Sequence, residues 1–188
     1  MGSKELIPDD ELMIRGVQGD EQAYRQLVER WQTPVYAYLV RMLGSPEDAQ
    51  DLCQETFVRM IRSANKYKPS GQFQSWLFRI AGNQARSRLR RRKVIRWLSF
   101  DYGSMDPPSS APDAQEEMER EELRAEVRES IARLPERQRE ALLLKQYQDL
   151  KYSEIAEAMG LSVSAVQMLL HRAMLALRKD HARQGGNR

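Results

Sequence analysis

The sequence predicts an all-α protein: two small helical domains joined by a flexible acidic linker, the second bearing a helix-turn-helix. Three observations carry that expectation. Apolar residues recur at helical spacing along the 188-residue chain, and no strand-like alternation occurs anywhere. Residues 99–115 hold Pro107, Pro108, Pro112, Gly103 and four serines, which is linker composition. From Tyr152 to Arg172, a short apolar-faced segment, Gly160 and a second apolar-faced segment follow one another. The expected division is 1–98, a linker over 99–115, and 116–188.

The first domain opens with helix over 11–32, carrying Leu12, Val17, Ala23, Leu27, Val28 and Trp31. Gly19-Asp20 reads as a break and cap inside it. Pro34 is expected near the start of a second helix, with Val35, Tyr38, Leu39 and Met42 buried and Gly44 closing it. Ser45-Pro46-Glu47-Asp48 is a helix start: Ser45 caps, Pro46 suits the first turn and Asp48 takes the reciprocal capping position. That helix runs to about Ser63, with Leu52, Phe57, Met60 and Ile61 available for burial. Asp48, Asp51 and Glu55 line up as an acidic stripe. Such a stripe is ordinarily a solvated face, and a docking face for a basic partner is the sharper alternative.

Lys68-Pro69-Ser70-Gly71 signals a turn. The stretch after it, Phe73 to Lys93, begins apolar and ends basic. Phe73, Trp76, Leu77, Ile80, Ala81, Ala85 and Leu89 recur at helical spacing, so Trp76 and Leu77 read first as core. Arg79, Arg86, Arg88, Arg90, Arg91, Arg92 and Lys93 follow with no acid among them. Cations are favourable near a helix C-terminus, but seven of them without a counter-charge exceed that need and point to a nucleic-acid surface. Aromatics beside arginines suit unpaired or flipped bases. Val94 to Leu98 forms a short apolar tail.

In the second domain, 116–133 reads as a charged helix with Met118, Leu123, Val127 and Ile131 as its narrow apolar stripe. Leu134-Pro135-Glu136 restarts the chain into a helix bearing Ala141, Leu142, Leu143 and Leu144. Ser153 is expected to cap the next short helix, Gly160 to leave it at positive φ, and Ser162 to cap the last one. Ile155, Ala156, Leu161, Val166 and Leu170 pack where those two helices cross. An ordinary helical hairpin is the plain alternative, but the short helix, glycine turn and capped helix favour a DNA-binding unit whose second helix enters a major groove.

The net charge of +3 hides an asymmetry. Residues 67–100 carry 9 basic and no acidic groups, residues 101–136 carry 4 and 11, and residues 137–188 carry 9 and 5. Two basic blocks around an acidic one suit two polyanion-binding modules with an acidic spacer that repels DNA. Cys53 is the only cysteine, so no internal disulfide forms and a reducing compartment fits. His171 and His181 lack partners at metal-ligand spacing, and no metal or other cofactor is expected. No run approaches the roughly 20 apolar residues of a membrane span, and no signal-peptide core is present.

Several of these stretches together resemble bacterial sigma factors of the sigma-70 class, in particular the small extracytoplasmic-function group that keeps only conserved regions two and four. Gly19-Asp20 with Ala23-Tyr24 resembles the opening of region two, and Ala49 to Phe57 resembles its polymerase-docking segment. Phe73, Trp76-Leu77, Ile80-Ala81 and Asn83 are similar to the promoter-melting signature. Leu134-Pro135, then Leu150, Tyr152 to Ala156 and the helix-turn-helix, resemble region four. The resemblance covers nearly all of residues 11–180.

The resemblance implies a non-catalytic protein that binds core RNA polymerase and promoter DNA. Asp48, Asp51, Gln54, Glu55 and Phe57 become docking candidates. Arg79, Asn83, Arg86 and Arg90 become candidates for the −10 element, with Asn83 near a flipped base and the arginines on phosphates. Ser164, Gln167, His171 and Arg172 become candidates for the −35 duplex. It also implies an inhibitory anti-sigma factor, a cytoplasmic location at the nucleoid or at a membrane through that inhibitor, and an acidic linker directed to the polymerase RNA channel. Two departures stand out: Ser87 replaces an acid common in the family, and the recognition helix is apolar at Met168, Leu169 and Met174. A stand-alone helix-turn-helix regulator is the first rival, and a nucleic-acid enzyme the second. Residues 67–100 contain no Asp, Glu or His to serve an enzyme's chemistry.

Overall fold

The computed structural model describes residues 7–99 and 125–185, and every regular element among them is helical. Helix α1 (Asp9–Val17) stops at Gly19, and α2 (Glu21–Leu43) starts from the Asp20 cap. One Asp20 carboxylate oxygen accepts from the Gln22 and Ala23 amides at 3.0 and 3.3 Å, and the other from Arg15 Nη2 at 2.7 Å. The Arg15 guanidinium holds the Asp20 carboxyl below the usual carboxylate range.

Pro34 does not open a new helix: α2 passes through it unbroken. An internal proline loses one backbone hydrogen bond and costs about 3 kcal/mol. Leu27, Val35, Tyr38, Leu39 and Met42 lie on one face across that point and are fully buried. Each contributes about 1.5–3 kcal/mol by burial, so packing outweighs the local defect.

Helix α3 (Pro46–Arg62) begins as expected, with Ser45 Oγ accepting from the Asp48 amide at 3.3 Å. The Asp48 carboxylate does not turn back to its own cap; it pairs with Arg88 and Arg92 of the next helix. Ala49, Cys53, Phe57 and Met60 form the inward stripe, and Ile61, expected inside, lies off its edge at 44% exposure. After a 3-10 turn (Ala64–Lys66), helix α4 (Phe73–Ser99) runs as one piece and absorbs the apolar tail at its end. Trp31 packs on Phe73, and Tyr67 on Phe73 and Trp76, in its first turn. Deeper in, Gln84 Nε2 donates to Thr56 Oγ1 at 2.9 Å, a buried polar link between α3 and α4.

The second domain comprises α5 (125–133), α6 (Glu136–Tyr147), α7 (Tyr152–Met159) and α8 (Val163–Gly185). Ile131 is buried while Val127 is exposed; Met118, Leu123 and the linker over 100–115 lie outside the described residues. Arg133 Nη2 reaches Asp180 at 2.6 Å and ties α5 to α8. The cap of α7 is Lys151, not Ser153: its amide donates to the Glu154 carboxylate at 2.6 Å, which anchors the helix start two residues earlier. Gly160 adopts φ +64°, so the chain turns in the left-handed region that glycine enters without penalty. Ser162 Oγ then accepts from the Ala165 amide at 3.2 Å and starts α8. The two helices meet at 99°, with Ile155, Ala156, Val166 and Leu170 buried between them. No single described helix is long and apolar enough to cross a membrane.

The two domains pack together through α7 on α4 and through α6 on α2. Ala141, Leu142, Leu143 and Leu144 are all buried, although four consecutive residues circle a whole helix. One side of α6 rests on α7 and α8 and the other on α2 of the first domain. Arg139 Nη1 donates to the Met42 carbonyl at 2.8 Å, Gln74 Nε2 donates to the Gln148 carbonyl at 3.0 Å, and the Arg41 guanidinium lies 4.3 Å from the Tyr147 ring centre.

Candidate nucleic-acid interface

Helix α4 presents its candidates unequally. Arg79, Asn83 and Arg90 are exposed, while Arg86 is only 8% exposed. Arg86 Nη1 donates to Glu140 Oε1 of α6, and its Nη2 donates to Asn83 Oδ1. Glu140 itself is 1% exposed. Burial pushes its carboxyl above the ordinary glutamate range, and the adjacent Arg86 offsets that only in part. The Tyr38 hydroxyl beside it is raised too, first by burial and then by the Glu140 charge.

Farther along α4, Arg88 and Arg92 are held by Asp48, and Arg92 Nη1 also donates to the Leu43 carbonyl at 3.1 Å. These two arginines serve the contact with α3. Ser87 Oγ accepts from Arg90 Nη2 at 3.0 Å and orients that guanidinium at the surface. An acid there would neutralise Arg90; a serine leaves its charge available.

On α8, Ser164, Gln167, His171 and Arg172 are all exposed, at a spacing that sets them on one side of the helix. Val166, Leu170 and Ala173 occupy the buried side. The apolar residues singled out in the sequence are at the surface as well: Met168 is 53% exposed, and Met174 is joined by Leu175. Leu169 packs partly against the core.

The α3 candidates divide. Asp51 and Gln54 are exposed, and Glu55, half-buried, pairs with Arg59 at 2.7 Å. Asp48 is engaged by α4, and Phe57, at 7% exposure, belongs to the core. Val58 and Ile61 lie exposed one and two turns beyond Gln54. The signal for them was apolar side chains falling outside the inward stripe. The signal for Glu140 was an acid directly ahead of an apolar run too wide for a one-sided helix. Neither was read from the sequence.

Two modules, the α1–α4 unit and then the helix-turn-helix unit, match known families. Residues 27–94 match Sigma-70 region 2, and residues 124–177 match Sigma-70, region 4. The chain is 30% identical to the RNA polymerase sigma-H factor of Pseudomonas aeruginosa, over 91% of this chain and 92% of that one. It is 34% identical to the ECF RNA polymerase sigma-E factor of Haemophilus influenzae, over 90% and 93%. This chain belongs to the extracytoplasmic-function sigma factors. Among solved structures, CnrH in complex with the cytosolic domain of CnrY is similar with a TM-score of 0.69 and 27% identity, over 92% of this chain and 96% of that one. The sigma factor RpoE from Bartonella quintana, solved with the anti-sigma factor NepR, shares the fold with a TM-score of 0.68 at 19% identity, over 85% and 96%. As a sigma factor of this type, the chain directs core RNA polymerase to promoters and starts transcription through −10 melting and −35 recognition.

Proposed function

We propose that the sigma-factor activity is divided among three surfaces of this chain. Asp51, Gln54 and Glu55 of α3, with Val58 and Ile61 beside them, dock on core polymerase. An acidic rim around exposed apolar side chains suits a basic partner with an apolar centre. Arg79, Asn83, Arg86 and Arg90 of α4 hold the −10 element: the asparagine reads an extruded base and the arginines grip phosphates. Ser164, Gln167, His171 and Arg172 of α8 face the −35 duplex, where Gln167 suits an adenine edge and Arg172 a phosphate.

The observation that supports this reading most is the pairing of a basic helix without acids in one domain with an exposed polar helix face in the other. The chain itself carries no catalysis in this reading; it works inside the cell, at the nucleoid. Met168, Met174 and Leu175 are the surface for an inhibitory protein partner, in keeping with the anti-sigma factor named in the RpoE structure.

Run-off transcription tests the reading, using core polymerase of the source organism on fragmented genomic DNA with and without the chain. Start sites sharing both elements are expected only when the chain is present. Asn83→Ala is expected to reduce permanganate reactivity of −10 thymines; unchanged reactivity sinks its assigned role.

A further inference from the structure

The basic run of α4 is sorted by an acid of its own domain. Arg88 and Arg92 both pair with Asp48, which stands in the first turn of α3. At about 3.6 residues per turn, those two arginines lie on the opposite side of α4 from Arg79, Asn83, Arg86 and Arg90. Among the described residues, no acid pairs with Arg79, Arg90 or Arg91, whereas Arg86 and Lys93 meet Glu140 and Glu136 of α6. We propose that Asp48 is a specificity-determining residue: it withholds Arg88 and Arg92 from DNA, so that one side of α4 alone grips the −10 strand. The inference rests on the reading of α4 as the strand-holding helix.

Three features of the contact support this role. First, Asp48 gives up the local partner that its position offers. An acid in the first turn can reach back to the cap, and Ser45 Oγ already accepts from the Asp48 amide at 3.3 Å. The carboxylate points to α4 instead, one oxygen to Arg88 Nη1 and the other to Arg92 Nη2. Second, the two arginine side chains remain 32% and 36% exposed. Ion pairs so open to solvent stabilise a fold little, but they decide whether a guanidinium is available to a passing phosphate. Third, Arg92 Nη1 also donates to the Leu43 carbonyl at 3.1 Å, which fixes that guanidinium at the corner between α2 and α3.

The benefit lies in what phosphate contacts can and cannot do. They add affinity for every sequence and carry no information about the bases. A helix with arginines all round would hold a strand on any side, and only one of those sides presents bases to Asn83. Confining the open cations to the Asn83 side converts attraction into register. Asp48, Arg88 and Arg92 all belong to the α1–α4 unit, so the sorting does not depend on where the second domain lies.

The test uses the full-length chain with Asp48→Asn and Asp48→Glu. Asparagine keeps the size and removes the charge; glutamate restores the charge. Circular dichroism checks that both variants keep their helix content. Anisotropy of a fluorescein-labelled single strand of randomised sequence is followed through a salt series. Competition in reconstituted holoenzyme then measures the preference for a strand carrying the −10 element, as mapped by run-off transcription, over a scrambled one. Asp48→Asn is expected to bind the random strand roughly 10-fold more tightly at low salt, the worth of one charge-assisted contact. Its salt slope should steepen by up to about 1.4, from roughly 0.7 for each added phosphate contact. Its preference in holoenzyme should fall. Asp48→Glu should match the parent in all three, and adding Arg88→Ala and Arg92→Ala to Asp48→Asn should return the slope to the parental value.

An unchanged slope or weaker binding in Asp48→Asn, while Arg90→Ala lowers the slope, overturns the inference alone: α4 holds the strand and Asp48 only braces α3 against α4. A steeper slope with an unchanged preference overturns it too, since the released arginines then cost no discrimination. An unchanged slope in both Asp48→Asn and Arg90→Ala removes α4 as the strand-holding helix, and the inference falls with that reading.

Discussion

Helices α4 and α8 each carry a candidate DNA face, and the fold treats them oppositely. On α8 the four polar candidates are all exposed, while the apolar side beneath them makes the helix-turn-helix core. On α4 the central arginine is buried against an acid from another domain, and two more arginines are committed to Asp48. The difference follows from what each helix packs on. Among the described residues, helix α8 packs chiefly on α6 and α7 of its own domain, whereas α4 is flanked by α3 on one side and by α7 and the Glu140 end of α6 on the other. A duplex-reading surface can stay open in the free protein, since intact promoter DNA reaches it directly. On α4, Arg79, Asn83 and Arg90 stay exposed as well, and Arg86 alone among the candidates is covered.

The largest expected effect comes from breaking the covered side. Arg86→Ala strands the Glu140 carboxylate in a buried site, a change that typically costs about 3–5 kcal/mol. Equilibrium denaturation should show that loss, and reconstituted transcription should fall at least tenfold. Next comes the open side. Arg172→Ala should weaken duplex binding by about tenfold, the worth of one charge-assisted contact, and lower the salt slope by roughly one. Its stability should stay within about 0.5 kcal/mol of the parent, as for other exposed positions. A large stability loss in Arg172→Ala would erase the contrast between the helices.

Smaller still is Ser162→Ala. It removes the cap that sets the start of α8, with an expected cost of about 1 kcal/mol in thermal denaturation. Because the cap aims the helix, duplex affinity should fall with it. Gln167→Ala is the mildest: affinity for the best duplex changes little, and discrimination at one base position relaxes, read by competition among duplexes differing at that position.

Much of this was legible in the sequence because local chemistry decided it. The Asp20, Ser45 and Ser162 caps, the Gly160 turn and the buried faces of α7 and α8 need only near neighbours to be satisfied. The failures share a cause in distant partners. Pro34 looked like a boundary because the packing that carries α2 through it comes from other helices. Asp48 looked like a capping or docking acid because Arg88 and Arg92 stand 40 or more residues away. Phe57 joined the docking candidates through its place in a family segment, although its own periodicity already marked it as core. The Glu140–Arg86 pair was invisible for the same reason: an acid in a leucine-rich helix says nothing of its partner until the domains are side by side.

The division of labour between the two helices is tested most directly by footprinting holoenzyme on one promoter with Asn83→Ala and with Arg172→Ala. DNase protection reads the −35 duplex and permanganate reads the melted −10 strand. Asn83→Ala should keep the −35 footprint and lose the thymine reactivity, while Arg172→Ala should weaken the footprint first. Equal loss of both signals in either variant, or normal melting with Asn83→Ala, contradicts the assignment of the two steps to α4 and α8.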